Sequence, residues 1–251
     1  MPPLVVDSRP EPEYEAGHIP SALRLGWEDW NAKPNLKTPG ISLDLWEPGY
    51  WGTLDNFRLE NFAGRLAQLG FSNQRPVVVY ADSLASKGRE GRIAWMLLYL
   101  GVENVFLLDG GWRAWLAAGG SSDRLESRAE RGLFTLRLDH RRRVSTDALA
   151  QMCSGGNMPI SVDTRSLSEF QGDSFAYQPR TGHLPEAVQL SYESLFEESG
   201  RFASRDKFLA LLDSRVLLDP NLITYCEVGV RASTYALLLE VYTGRVLPVY
   251  D

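Results

Sequence analysis

The stretch LVVDSRPEPEYEAGHIPSALRL at residues 4–25 is written a second time as ISVDTRSLSEFQGDSFAYQPRTGHLPEAVQL at residues 160–190. Each copy opens on a short apolar run, passes through Asp-Ser/Thr-Arg, and reaches Gly-His-Ile/Leu-Pro before a second apolar segment. Asp7 corresponds to Asp163, Arg9 to Arg165, His18 to His183 and Pro20 to Pro185, and the second copy is nine residues longer between its Asp and its Gly-His. A further pair of stretches repeats behind these. RPVVVYADSLASKGREGRIAWMLLYLGVENVFLLDGGWRAW at 75–115 and LLDPNLITYCEVGVRASTYALLLEVYTGRVLPVYD at 217–251 both read as strand, loop, helix, strand. Short apolar runs bounded by turn residues suit strands buried on both faces, and the helices between them suit crossovers. The expected fold class is α/β, with two tandem units, each a mostly parallel sheet with helices on both faces.

The first unit is expected over residues 1–122 and the second over 143–251, with a linker at 123–142. The linker reading rests on GGSSDRLESRAERG, which is polar and glycine-rich at its start; LFTLRL behind it reads as an extended piece. Nothing in the second copy matches GWRAW at 111–115, so the second unit reads as truncated at its C-terminus, and the first copy begins directly on a strand.

With 251 residues, 44% of them hydrophobic, the chain has material for real cores. A formal charge of -6 argues against nonspecific nucleic-acid binding, and the basic run HRRRV at 140–144 reads as a solvated linker edge. The sequence offers no 18-residue apolar span and no basic start followed by an apolar run, so neither a membrane crossing nor a secretory signal is expected. Cys153 and Cys226 are too few for a disulfide framework, which points to a reducing, cytoplasmic setting. His18, His140 and His183 are too scattered for a zinc site. No metal or organic cofactor is expected, and the chain is expected to be a monomer.

Cys226 lies in LITYCEVGVRASTYALLLE at 222–240, as the first residue past a strand at 222–225 and a short turn before a helix at 232–242. In an open α/β sheet, ligands sit beyond the C-terminal ends of the strands. A helix N-terminus there offers free N–H groups and a dipole that favour an anion, thiolate included. Gly229 permits a tight backbone path and Arg231 adds a positive charge. Successive N–H groups around one sulfur make an anion nest. Cys226 is thus the candidate nucleophile, and Glu227, Val228, Gly229, Val230 and Arg231 form its candidate anion site. Cys153, in LAQMCSGG, reads instead as a packed residue near a helix end.

Together these pieces resemble a tandem-domain rhodanese, of the thiosulfate/3-mercaptopyruvate sulfurtransferase family. VVDSR…GHIP, SVDTR…GHLP, YCEVGVRAS and VFLLDGGWRAW stand in the family's order across nearly the whole chain. The resemblance implies an inactive first unit, because Ala81 in YADSLASKGREGR holds the place of Cys226. It implies a catalytic second unit that carries a persulfide on Cys226, with Arg165 binding the anionic donor and Asp163 and His183 as structural support. Asp7 and Arg9, with no nucleophile to serve, would be structural. It implies transfer of a sulfane sulfur from thiosulfate to cyanide, a small thiol or a protein thiol.

Two departures bear on the donor. Members acting on 3-mercaptopyruvate tend to carry a second arginine four places after the one matching Arg165; Glu169 stands there, and its carboxylate would repel that substrate if it faced the pocket. Thiosulfate enzymes often carry basic residues just after the cysteine, where this chain has Glu227 and Val228. A 3-mercaptopyruvate or persulfide donor therefore stays open beside thiosulfate, as does a non-enzymatic binding or regulatory module. Hydrolysis of phosphate or arsenate esters is the competing enzyme class. Cysteine phosphatases place five residues between the cysteine and the arginine, against four between Cys226 and Arg231, and no nearby Asp offers a general acid.

Overall fold

A computed structural model describes residues 2–31, 54, 58–156, 158–174, 181–212, 214, 216 and 219–251. Part of the extra length of the second copy, residues 175–180, lies outside them. The first unit contains β1 (Leu4–Asp7), α1 (Glu11–Ala16), β2 (Leu23–Arg24), α2 (Leu59–Gln68), β3 (Val77–Tyr80), α3 (Arg89–Leu100), β4 (Val105–Leu107) and α4 (Gly111–Ala117). The second contains β5 (Arg143–Val144), α5 (Thr146–Ser154), β6 (Ser161–Asp163), α6 (Leu167–Gln171), β7 (Ala187–Gln189), α7 (Arg205–Ala210), β8 (Ile223–Tyr225), α8 (Val230–Thr243) and β9 (Val249–Tyr250).

Two sheets result, ordered β2-β1-β3-β4 and β5-β9-β8-β6-β7, and every pairing in them is parallel. The apolar runs explain why. Val77, Val79 and Tyr80 of β3 and Ile223, Thr224 and Tyr225 of β8 are all buried, as strands covered on both faces require. On α2 the buried residues Phe62, Ala63, Leu66 and Ala67 recur at helical spacing, which turns one stripe inward. Short helices start on side-chain caps: Ser145 for α5, Ser204 for α7, and a Ser166–Glu169 capping box for α6.

The units meet along α3 and α8, which are buried on nearly all sides, and one hydrophobic core runs through both sheets from Leu4 to Val249. Their close approach depends on missing side chains. A Cβ at Gly91 would overlap Thr234, and one at Gly88 would lie 2.8 Å from the Val230 carbonyl oxygen. Among the described residues no helix is long and apolar enough to cross a membrane.

The expected linker is docked rather than free. Asp123 and His18 exchange backbone hydrogen bonds, Gly132 donates to Ala67, and Arg137 donates to Leu100. Asn73 closes on Thr135 from both ends of its amide, at 2.8 and 3.0 Å. The basic run is likewise not a solvated edge. Arg141 is exposed, but Arg142 is buried and makes a two-pronged pair with Glu240 at 2.6 and 2.9 Å, and Arg143 pairs with Asp251 at 2.6 Å. These guanidiniums tie the start of β5 to α8 and β9, a task that local composition does not reveal.

Candidate active site

The paired strands place the two copies in one register. Asp7 stands opposite Tyr80 and Asp163 opposite Tyr225, so Ala81 and Cys226 occupy equivalent positions at strand ends. The Asp-Ser/Thr-Arg turns are nearly superimposable in their bonding. Arg9 Nη2 donates to Asp7 at 2.6 Å and to the Gly17 carbonyl at 2.7 Å; Arg165 Nη2 donates to Asp163 at 2.6 Å and to the Gly182 carbonyl at 2.7 Å. Each guanidinium also lies 5.6 Å from a tyrosine ring, Tyr80 or Tyr225. Arg165 therefore does the same bracing as Arg9, whose unit has alanine at the place of the cysteine, and its guanidinium is already engaged by Asp163 and Gly182. That geometry offers a structural account of the residue for which donor binding was expected. His183 stacks on Phe170 at 3.7 Å between ring centroids, with Nδ1 2.8 Å from the Phe170 carbonyl oxygen. His18 repeats this on Tyr14, at 3.9 and 2.9 Å.

Cys226 is half-buried at the end of β8, near the middle of its sheet. The helix behind it begins at Val230, two residues before the sequence pattern suggests, which shortens the turn to Cys226–Gly229. Residues 227–229 bend without a turn hydrogen bond, and the first helical bond of α8 is Ser233 N–H to Gly229. Among the described residues no backbone carbonyl accepts from the N–H groups of residues 228–232. Those donors are available to an anion at the sulfur. Gly229 has φ +74°, and a Cβ there would lie 2.8 Å from Asp251 Cβ and 3.1 Å from Arg92 Nη1, so both conformation and space require glycine.

The loop separates two hollows. A cleft of about 510 Å³ is lined on one side by Cys226, Glu227, Val228, Val230 and Arg231, and on the other by Trp27, Ser86, Lys87 and Arg89 of the first unit. A hollow of about 370 Å³ on the opposite side is lined by Arg165, His183, Tyr225, Tyr250 and again Cys226 and Glu227. The structure thus gathers Cys226 and all five of its predicted loop neighbours, with Arg165 and His183 on the second side and Asp163 buried behind Arg165.

Arg231 is not a free cation. It forms a two-pronged pair with Glu169 at 2.8 and 2.9 Å and lies 3.6 Å from Glu227. Burial opposes the charged guanidinium, but Glu169's hydrogen bonds and the charges of Cys226, Glu169 and Glu227 outweigh it and raise its pKa. Burial would likewise raise the Glu169 carboxyl, yet Arg231 and the Ser166 N–H and hydroxyl hold it at about 2. Glu169 does line the cleft, but as half of an ion pair. The resemblance implies that the inactive first unit supports one wall of the cleft; Trp27, Ser86, Lys87 and Arg89, which form it, were not among the predicted site residues. The duplication carried the signal: if equivalent helices pack together, the loops that precede them must face each other.

Cys153 is exposed, its sulfur 3.1 Å from Met158 Sδ, so the packed position expected for it is corrected. The helix end that carries it turns that side chain to solvent.

Residues 2–118 match the family model of the rhodanese-like domain. The chain is 27% identical to the putative thiosulfate sulfurtransferase SseA of Mycobacterium tuberculosis, over 92% of this chain and 73% of that one. It is 25% identical to the sulfur carrier protein TtuD of Thermus thermophilus, over 92% and 78%. The crystal structure of the Escherichia coli 3-mercaptopyruvate sulfotransferase SseA superposes with a TM-score of 0.77 at 23% identity, over 99% of this chain and 91% of that one. The fold is the rhodanese fold, and residues 2–118, the first unit, are a rhodanese-like domain.

Proposed function

We propose that the chain is a sulfurtransferase that carries a sulfane sulfur on Cys226, with thiosulfate as donor. The observation that carries this reading is the position of Cys226: a half-buried thiol at a strand end, followed by a loop whose N–H groups at 228–232 meet no backbone carbonyl among the described residues, and lining a cleft. In the first step the thiolate attacks the outer sulfur of thiosulfate. The sulfur–sulfur bond of the donor breaks and sulfite leaves with its electron pair. The N–H groups of residues 227–231 face the negative charge on the terminal sulfur of the persulfide. In the second step cyanide or a thiolate takes that sulfur, and Cys226 is released as thiolate. The relatives' names, thiosulfate sulfurtransferase and sulfur carrier, support the same chemistry.

3-Mercaptopyruvate is the second donor reading, and one observation favours it. The pair between Glu169 and Arg231 removes the repulsion that a lone Glu169 would exert on a carboxylate. The two-unit division, with a non-catalytic first unit to about residue 122, belongs to the same proposal; Ala81 supports it by offering no nucleophile. Intact mass after thiosulfate treatment should rise by one sulfur, and Cys226→Ala should abolish the rise. A full shift in the alanine variant would place the chemistry elsewhere. The same measurement with 3-mercaptopyruvate compares the donors.

A further inference from the structure

The first unit sends a cation into the Cys226 cleft. From Ala81 its chain passes through a short 3-10 turn, Ser83–Ser86, to Lys87 and then Gly88, the N-cap of α3. Lys87 has φ +54°, a left-handed backbone that non-glycine residues adopt only where the surroundings impose it. Those surroundings are visible. Ser86 Oγ donates to the Ser83 carbonyl at 2.8 Å and accepts from Gly88 N–H at 3.2 Å, and it also bonds the buried Glu90. Gly88 is pressed against the start of α8, where an added Cβ would lie 3.1 Å from Arg231 Cα. Lys87 is thereby pinned at the lip of the cleft beside the Cys226 loop, and its side chain lines that cleft.

The other cations of the cleft are committed. Arg231 is taken by Glu169 and Glu227, and Arg89 by Glu28. Among the described residues the Lys87 ammonium has no ion-pair partner. Three carboxylates, Glu169, Glu193 and Glu227, line the same cleft against Arg89 and Arg231, so without Lys87 its side-chain charges sum to a net negative. We propose that Lys87 is the anion-recognising residue of the site: it holds the charged sulfonate or carboxylate end of the donor while the sulfur meets Cys226. The unit that lacks the nucleophile then sets the donor preference of the unit that has it. This rests on the sulfurtransferase reading for its biological sense, but the electrostatic claim is testable without sulfur transfer.

The test is alkylation of Cys226 in a Cys153→Ser background, comparing anionic iodoacetate with neutral iodoacetamide. Lys87→Met should lower the rate ratio of the two reagents about two- to fivefold at low ionic strength, and Lys87→Glu by roughly the square of that, both effects fading with salt. Lys87→Arg should keep the wild-type ratio. The thiosulfate KM should rise in parallel in the Met and Glu variants. An unchanged ratio in Lys87→Glu overturns the proposal, even if Cys226 loads sulfur normally. A shifted ratio in a protein that never loads sulfur upholds the role of Lys87 and sinks the sulfurtransferase reading instead.

Discussion

Glu169→Gln separates the charge of the Glu169–Arg231 pair from its shape. Glutamine still fits the capping box with Ser166, so α6 keeps its start, while Arg231 loses its counter-charge. Glu169 is lowered from an ordinary value of 4.5 to about 2. At about 1.4 kcal/mol per unit that difference corresponds to at most ~3 kcal/mol. The carboxylate side chain is 17% exposed and opens on a wet cleft, so solvent screening reduces the expected loss to about 1–2 kcal/mol at pH 7. The sign follows from linkage. A carboxyl held below its unfolded value stabilises fully above pH 4.5, and that contribution is lost as pH falls towards 2. Urea unfolding of wild type and variant at pH 7 and pH 3 should therefore show a deficit that shrinks in acid. Under the proposed function the freed Arg231 also raises efficiency with thiosulfate several-fold. A stability deficit of equal size at both pH values would refute the charge argument and assign the loss to packing.

Glu227→Gln should raise thiosulfate efficiency several-fold at low salt and little at high salt, because Glu227 borders both hollows and lies 3.6 Å from Arg231; a steady-state salt series checks it. Asp251→Asn leaves Arg92 and Arg143 facing a neutral amide in a buried place and should cost about 3 kcal/mol in urea unfolding; a loss well under 1 would show the cluster to be idle. Glu90 is fully buried; burial, with Asp82 adding, raises its pKa to about 7 against the opposing bonds from Ser86, so stability should fall as pH rises from 4.5 through 7. Glu90→Gln should therefore gain on the order of 2 kcal/mol on wild type at pH 8 relative to pH 5, read from urea curves at both. Cys153→Ser should leave turnover at the wild-type rate, since that side chain sits in solvent far along the chain from the cleft loop.

The fold was legible because its signals are local and doubled. Each Asp-Ser/Thr-Arg turn closes on itself two residues apart, so the same letters recur wherever the same turn is built. Cys226 was legible for a similar reason: strand, cysteine, glycine and helix follow one another without a gap. What escaped depends on contacts between distant segments. Arg231 meets Glu169 across 62 positions, and that pairing reverses the meaning of both charges. Arg142 finds Glu240 across 98 positions, which turns a basic surface run into buried struts. Arg165, expected to bind the donor, also makes the bracing bonds that Arg9 makes in the first unit, a second task that its position in the sequence does not reveal. Lys87 belongs to a loop with no nucleophile of its own, and only the packing of α3 on α8 shows which cleft it reaches.

Asp251 brings together Arg92, 159 positions earlier, with Arg143 and the N–H of Leu54, and it abuts Gly229 in the nucleophile loop. A ribosome delivers these partners in sequence, and residue 251 emerges long after the first sheet can have formed. Every nascent chain shorter than that position lacks the carboxylate behind the Gly229 turn. The thiol is thus translated before its surroundings are complete, and the Gly229 turn gains its neighbour Asp251 only when early and late segments meet. Assembly of the site then draws on segments of both units rather than on the second unit alone.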